Sequence, residues 1–189
     1  MKKSILLILL VAFLAVAVGV SGCLDDDKDN STDNNTSNHT TNITFDENIV
    51  KVDPIPTGFE LLFSKPVTAD AEGIGGVTDA LAGYTAAYMY NNSSSDAVYL
   101  YVFECDNSTA AAGYVQSMID AHKARYPESN NVTTAKINGH NATLLTRVVQ
   151  GIGGGESYEY AWNNGQYLVV INGPASSNLM LSIAEASDL

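Results

Sequence analysis

Basic residues are scarce. The 189-residue chain has 9 lysines and arginines against 21 aspartates and glutamates, a formal net charge of −12. That imbalance repels phosphate, so it excludes nucleic acid as a partner and electrostatic docking on an anionic bilayer. Cysteine is scarcer still, at Cys23 and Cys105 only. If Cys23 is chemically occupied, Cys105 has no partner and no disulfide forms within the chain. Of the three histidines, His39 precedes the folded part, His122 falls in a helical pattern and His140 in a turn. No pair has metal-ligand spacing and no cysteine stands beside one, so no metal and no cofactor are expected. Gly73–Gly76 and Gly151–Gly155 lack the lysine and the strand-to-helix context of a phosphate loop. Cys105 ends an apolar stretch and reads as a small buried hydrophobe rather than a nucleophile. No catalytic residue is assigned and no enzymatic activity is expected. A hydrolase would need His122 or His140 within reach of a carboxylate in a cleft.

What is present begins at the N-terminus. Lys2 and Lys3 precede a sixteen-residue, almost wholly apolar run, Ile5 to Val20, then Ser21, Gly22 and Cys23. A positive start, an apolar middle and small residues at a cut site make a secretory signal, and the run is short for a bilayer span of about 20 residues. The expected organisation is a signal peptide at 1–22, a tether at 23–53 and a single domain at 54–189. Val20-Ser21-Gly22-Cys23 looks like the lipobox of prokaryotic lipoproteins. That resemblance implies cleavage before Cys23, lipidation of its sulfur and residence on the extracytoplasmic face of the cell membrane. One acyl chain holds a protein only marginally, and no basic patch is available as a second signal, so the lipid must carry at least two chains.

Loss of residues 1–22 removes two lysines and no acid, leaving 7 basic and 21 acidic residues and a formal charge of −14. Residues 24–48 hold three apolar side chains, Leu24, Ile43 and Phe45. Such a segment cannot bury enough surface to offset ordering entropy and is expected to be a disordered acidic spacer. It is also dense in Asn-x-Ser/Thr sequons. They begin at Asn30, Asn34, Asn35, Asn38 and Asn42, and within the domain at Asn91, Asn92, Asn107, Asn131 and Asn141. Ten of seventeen asparagines qualify, where chance predicts about three. Lipobox and sequons together resemble cell-surface lipoproteins of archaea, which implies N-glycosylation at these sites.

Past Pro54 and Pro56 the pattern changes. Strands are expected at 59–63, ended by Pro66, and at 83–90 and 97–105. Asp106-Asn107-Ser108 offers helix caps, and Ala111, Val115, Met118, Ile119 and His122 fall on one face of a helix stopped by Pro127. Four strands follow at 132–137, 142–149, 157–162 and 167–171. Asn138-Gly139 and Asn163-Asn164-Gly165 separate two of the pairs, and Asn-Gly is a strong hairpin signal. A final helix is expected at 177–186. Successive hairpins imply an α+β domain with an antiparallel sheet of about six or seven strands and two helices packed on one face. The order of Pro56-Thr57-Gly58-Phe59-Glu60, Ile137-Asn138-Gly139-His140-Asn141-Ala142, the segment Tyr160–Tyr167 and the helix around Leu181–Ala186 is similar to a small uncharacterised α+β domain. That domain occurs outside the membrane in prokaryotic lipoproteins and in some anti-sigma and sporulation proteins. It brings no catalytic residues to carry over.

Tyrosine recurs at alternate strand positions: Tyr84, Tyr88 and Tyr90; Tyr99, Tyr101 and Phe103; Tyr158, Tyr160 and Trp162. Period two puts each set on one side of its strand. If the sides coincide, they form an aromatic face able to stack on a sugar or grip a peptide; otherwise they are a layer beneath the helices. Two functional readings follow. The first is a non-enzymatic binding module meeting a cell-envelope glycan or protein. The second is a ligand sensor or solute-binding accessory using the tyrosine face.

Overall fold

The computed structural model describes residues 45–129, 131–149 and 155–189. The leader, Cys23, the tether sequons at Asn30, Asn34, Asn35, Asn38 and Asn42, and Gly151–Gly154 lie outside the described residues.

Seven strands are formed, by Phe59–Thr68 (β1), Ala82–Tyr90 (β2), Ser93–Glu104 (β3), Asn131–Ile137 (β4), His140–Val148 (β5), Glu156–Asn164 (β6) and Tyr167–Gly173 (β7). They make one antiparallel sheet in the order β1-β2-β3-β7-β6-β5-β4. Two helices, Ser108–Arg125 (α1) and Ser177–Ala186 (α2), complete an α+β fold. Tight turns with left-handed backbone close two hairpins: Asn91 and Asn92 at φ 49° and 58°, and Asn138 and Gly139 at φ 49° and 86°. Those values match the right-handed twist of paired strands. Asn107 starts α1 by accepting a hydrogen bond from the Ala110 amide at 3.0 Å. His122, Lys123 and Arg125 occupy its last turn, where the helix dipole favours positive charge.

The helices lie on opposite faces of the sheet, which corrects the expectation that both share one. Val98, Leu100 and Val102 of β3 and Val169 and Ile171 of β7 pack with Met180, Ile183 and Ala184 of α2. Tyr101, Phe103, Leu168 and Val170 pack with Ala111 and Met118 of α1 and with Ile74 and Val77 of the β1–β2 loop. The central strand β7 explains why. Leu168-Val169-Val170-Ile171 is apolar on both sides, and a strand of that kind is stable only with both faces covered. Each fully buried aliphatic or methionine side chain here contributes about 1.5–3 kcal/mol.

Two boundaries also move. Pro66 does not end β1, which continues to Thr68. β1 is an edge strand, and an edge tolerates a residue with no N–H to donate. Among the described residues, packing already includes the segment from Phe45 to Val52, upstream of Pro54. Phe45 stacks on Tyr167 with ring centroids 5.5 Å apart and meets Tyr84 edge-on. A 3₁₀ turn follows at Glu47–Val50, and Ile49, Val50 and Val52 are buried. The buried Tyr88 hydroxyl fastens this segment. It donates to the Val50 carbonyl at 2.6 Å and accepts from the Val52 amide at 2.8 Å. The short spacing of Ile49, Val50 and Val52 suits neither a helix nor a strand, so periodicity cannot reveal it.

Candidate functional site

The C-terminal half of α1, the β1–β2 loop and the ends of β5, β6 and β7 enclose a cleft of about 400 Å³. Register builds its floor. Leu145 is paired with Glu159, and Glu159 with Asn172, so one residue from each of three adjacent strands points the same way. Glu159 is half-buried, and its Oε2 accepts from Asn172 Nδ2 at 3.3 Å. Burial raises its pKa above the usual carboxylate value, opposed by the Asn172 bond and the more distant Arg147 charge. Met118, Ala121 and His122 of α1 face the floor. His122 is buried, and its Nε2 lies 3.2 Å from the Thr146 carbonyl oxygen. A carbonyl only accepts, so Nε2 carries the proton. Burial lowers the pKa of the ring and the nearby Arg147 lowers it further, against the bond to Thr146.

At the mouth stand the two arginines of the chain, Arg125 in the last turn of α1 and Arg147 near the end of β5. Arg147 Nη1 donates to the Tyr126 hydroxyl at 2.7 Å. Both guanidinium carbons sit 5.5 Å from the centroid of the Tyr126 ring, one charge contributed by the helix and one by the sheet. Among the described residues the ion pairs are Lys51 with Glu47 and Lys65 with Glu72, so neither arginine is matched by a carboxylate. Arg147 pairs with Ser157, which makes it a diagonal neighbour of Glu159 on the same face of the sheet. Arg147 turns instead to Tyr126, and among the described residues no cation lies within salt-bridge distance of Glu159. A second, more open cavity of about 540 Å³ shares Arg125, Tyr126 and Arg147 and adds Pro127, the exposed Val148 and Val149, and Glu128, which makes no ion pair with either arginine.

Of the two arrangements open to the tyrosines, a shared face or layers beneath the helices, the shared face is not formed. Tyr84, Tyr88, Tyr158, Tyr160 and Trp162 belong to the α2 side, while Tyr99, Tyr101 and Phe103 belong to the α1 side. Tyr88, Tyr101, Tyr160 and Trp162 are buried, and Tyr90 packs on Phe59 at 5.1 Å. The physical reason is register: Tyr101 is paired with Thr85, which sends the β3 aromatics to the face opposite Tyr84 and Tyr88. Tyr158 alone of the set lines the cleft. The domain sequons at Asn91, Asn92, Asn107, Asn131 and Asn141 are all exposed, with Asn107 also serving as the α1 cap. Cys105 is buried, and burial pushes its thiol pKa up. His122 bonds to a backbone carbonyl rather than a carboxylate, and His140 opens β5 beside the Asn138-Gly139 turn. Among the described residues no group of three or more His, Cys, Asp or Glu is placed to hold a metal ion, and no helix is long and apolar enough to cross a membrane.

No family model matches the chain, and no curated protein matches it. Two solved structures are similar. One is a GTP-binding regulator from Thermotoga maritima, 13% identical, with a TM-score of 0.40 over 74% of this chain and 82% of that one. The other is the extracellular domain of PknH from Mycobacterium tuberculosis, also 13% identical, with a TM-score of 0.42 over 70% of this chain and 84% of that one.

Glu159, Asn172, Arg125, Tyr126 and Arg147 were not singled out by sequence reasoning. One signal was available: an acid, Glu159, between Tyr158 and Tyr160, on the alternate side from the aromatics. The raised pKa of Glu159 has a measurable consequence. As pH rises above the ordinary carboxylate range, the unfolded chain releases this proton before the folded one, so stability falls with pH. Glu159→Gln removes that cost and retains an acceptor for Asn172. Thermal denaturation is expected to show the Gln variant melting higher than the parent at pH 7–8, with the difference vanishing near pH 4. His122 works with the opposite sign, losing stability as pH falls below its unfolded value, but it is common to both proteins and cancels in the difference. A lower melting point for Glu159→Gln at pH 8 would show that the folded state favours the ionised carboxylate.

Proposed function

We propose that this chain is a lipid-anchored, extracytoplasmic binding module, without enzymatic activity, that meets a component of the cell envelope. The observation that carries the reading is Val20-Ser21-Gly22-Cys23 at the end of a charged-then-apolar leader. The acidic spacer supports it, because like charges along residues 25–33 extend a tether and keep a domain clear of the bilayer surface. The exposure of all five domain sequons supports glycosylation at the cell surface. Membrane fractionation of a Cys23→Ala variant tests the anchor. The variant is expected to keep its leader uncleaved and to lack the lipid mass found on Cys23 of the parent. Identical processing of both proteins would sink the lipoprotein reading.

A second reading, a solute-binding accessory, is favoured by the cleft. It replaces the tyrosine face as the place where a ligand would sit: a concave site of ordinary ligand size with a few convergent polar groups.

A further inference from the structure

We propose that the cleft between α1 and the ends of β5, β6 and β7 binds a small zwitterion of the amino-acid or dipeptide class, its carboxylate on Arg125 and Arg147 and its ammonium at Glu159. The proposal deepens the solute-binding reading and rests on it.

The argument is one of unmatched charge. In a chain this acidic, a guanidinium has many carboxylates to choose from, yet both arginines are brought to one tyrosine ring with no carboxylate partner among the described residues. Arg147 spends one N–H on the Tyr126 hydroxyl, which fixes the direction of the rest of its fork. A planar fork held in this way suits a carboxylate, which accepts two parallel N–H bonds. At the other side of the same cleft, Glu159 is a carboxylate withdrawn from water and held by a neutral amide instead of a cation. Arg147 and Glu159 are close enough on the sheet to form an ion pair and do not. Each would gain from a counter-charge arriving from outside. A plain anion would satisfy the arginines alone, and a plain cation Glu159 alone. A molecule with both charges a few bonds apart satisfies both. A volume of about 400 Å³ admits a dipeptide.

Isothermal titration of the full-length chain in detergent tests this with alanyl-alanine, its N-acetyl form, which lacks the ammonium, its C-terminal amide, which lacks the carboxylate, and acetate. The free dipeptide is expected to bind about tenfold or more tightly than either blocked form. Arg147→Gln should weaken the dipeptide and the N-acetyl form about tenfold while leaving the amide unchanged. Glu159→Gln should weaken the dipeptide and the amide while leaving the N-acetyl form unchanged. Arg147 is exposed, so its replacement leaves the fold intact, and an unshifted melting curve confirms it. Arg125→Gln provides the second variant and should follow Arg147→Gln. No heat from the dipeptide at millimolar concentration, equal binding of the blocked forms, or acetate binding as tightly as the dipeptide would each overturn the proposal. These titrations read the cleft alone, so their failure is distinct from a failure of the Cys23→Ala test of the anchor.

Discussion

Trp162→Ala is expected to destabilise the domain by roughly 3–5 kcal/mol, as for other large-to-small aromatic replacements in a core. Trp162 is 1% exposed in the C-terminal half of β6 and packs within the α2-side core with Tyr88, Val169 and Ile171. Its register partner is Val169 of the central strand, so the cavity opens between the two halves of the sheet where relaxation is least able to fill it. Against a typical domain stability of about 5–15 kcal/mol, this loss brings the variant close to unfolding at physiological temperature. Chemical denaturation monitored by circular dichroism measures it. Trp162→Phe should cost clearly less. The indole Nε1–H is buried with no acceptor among the described residues, so phenylalanine gives up volume but also removes that donor. A Phe variant as unstable as the Ala variant would mean that shape, and not the orphan donor, governs the site.

Gly76→Val is the second large effect. Gly76 has φ +84°, and a Cβ there would run into the Ser117 carbonyl and lie 2.9 Å from Met118 Cα, on the backbone of α1. Left-handed backbone costs a side-chain-bearing residue about 1–2 kcal/mol, and overpacking adds about 1–3 kcal/mol. The loop cannot simply step back. Ile74 and Val77 are buried on either side, and Asp79 accepts a 2.5 Å bond from Tyr114 of α1, which pushes that phenol up to about 12. The expected result is a loss of roughly 2–4 kcal/mol with faster hydrogen exchange at the Ile74 and Val77 amides. Gly75→Ala is the control. Nothing lies within 4 Å of its Cβ position, so its effect should stay within about 0.5 kcal/mol although it also lines the cleft. Equal losses at Gly75 and Gly76 would show that the loop is sensitive to any side chain, not to its contact with the helix.

Much of the fold is legible residue by residue. The spacing of Ala111, Val115, Met118, Ile119 and His122 declares a helix with one inward face; Ala111, Met118 and His122 are buried there, and Val115 and Ile119 are half-buried. The Asn-Gly turn at 138–139 declares the β4–β5 hairpin, and the helix at Ser177–Ala186 stands where its periodicity put it. One expectation and one of two open alternatives failed. The placement of both helices on one face neglected Leu168–Ile171, whose unbroken apolar run already shows two covered faces. The tyrosine face was assembled strand by strand, when the side each set occupies depends on pairing across strands.

The candidate site was less legible, because no local pattern contains it. Glu159 comes from β6, Asn172 from β7, Arg147 from β5 and Arg125 from the end of α1. Their meeting depends on α1 crossing one face of the sheet and on β5 and β6 pairing in the register that puts Leu145 opposite Glu159. What the sequence determined by itself is what short-range physics can carry: element type from the period of apolar residues and hairpins from turn residues. Which face each helix covers, which tyrosines are buried, and where two arginines and a carboxylate are left without counter-charges among the described residues were decided by the tertiary structure. Those are long-range outcomes of register and chain path, and a one-residue shift in pairing would reverse every one of them.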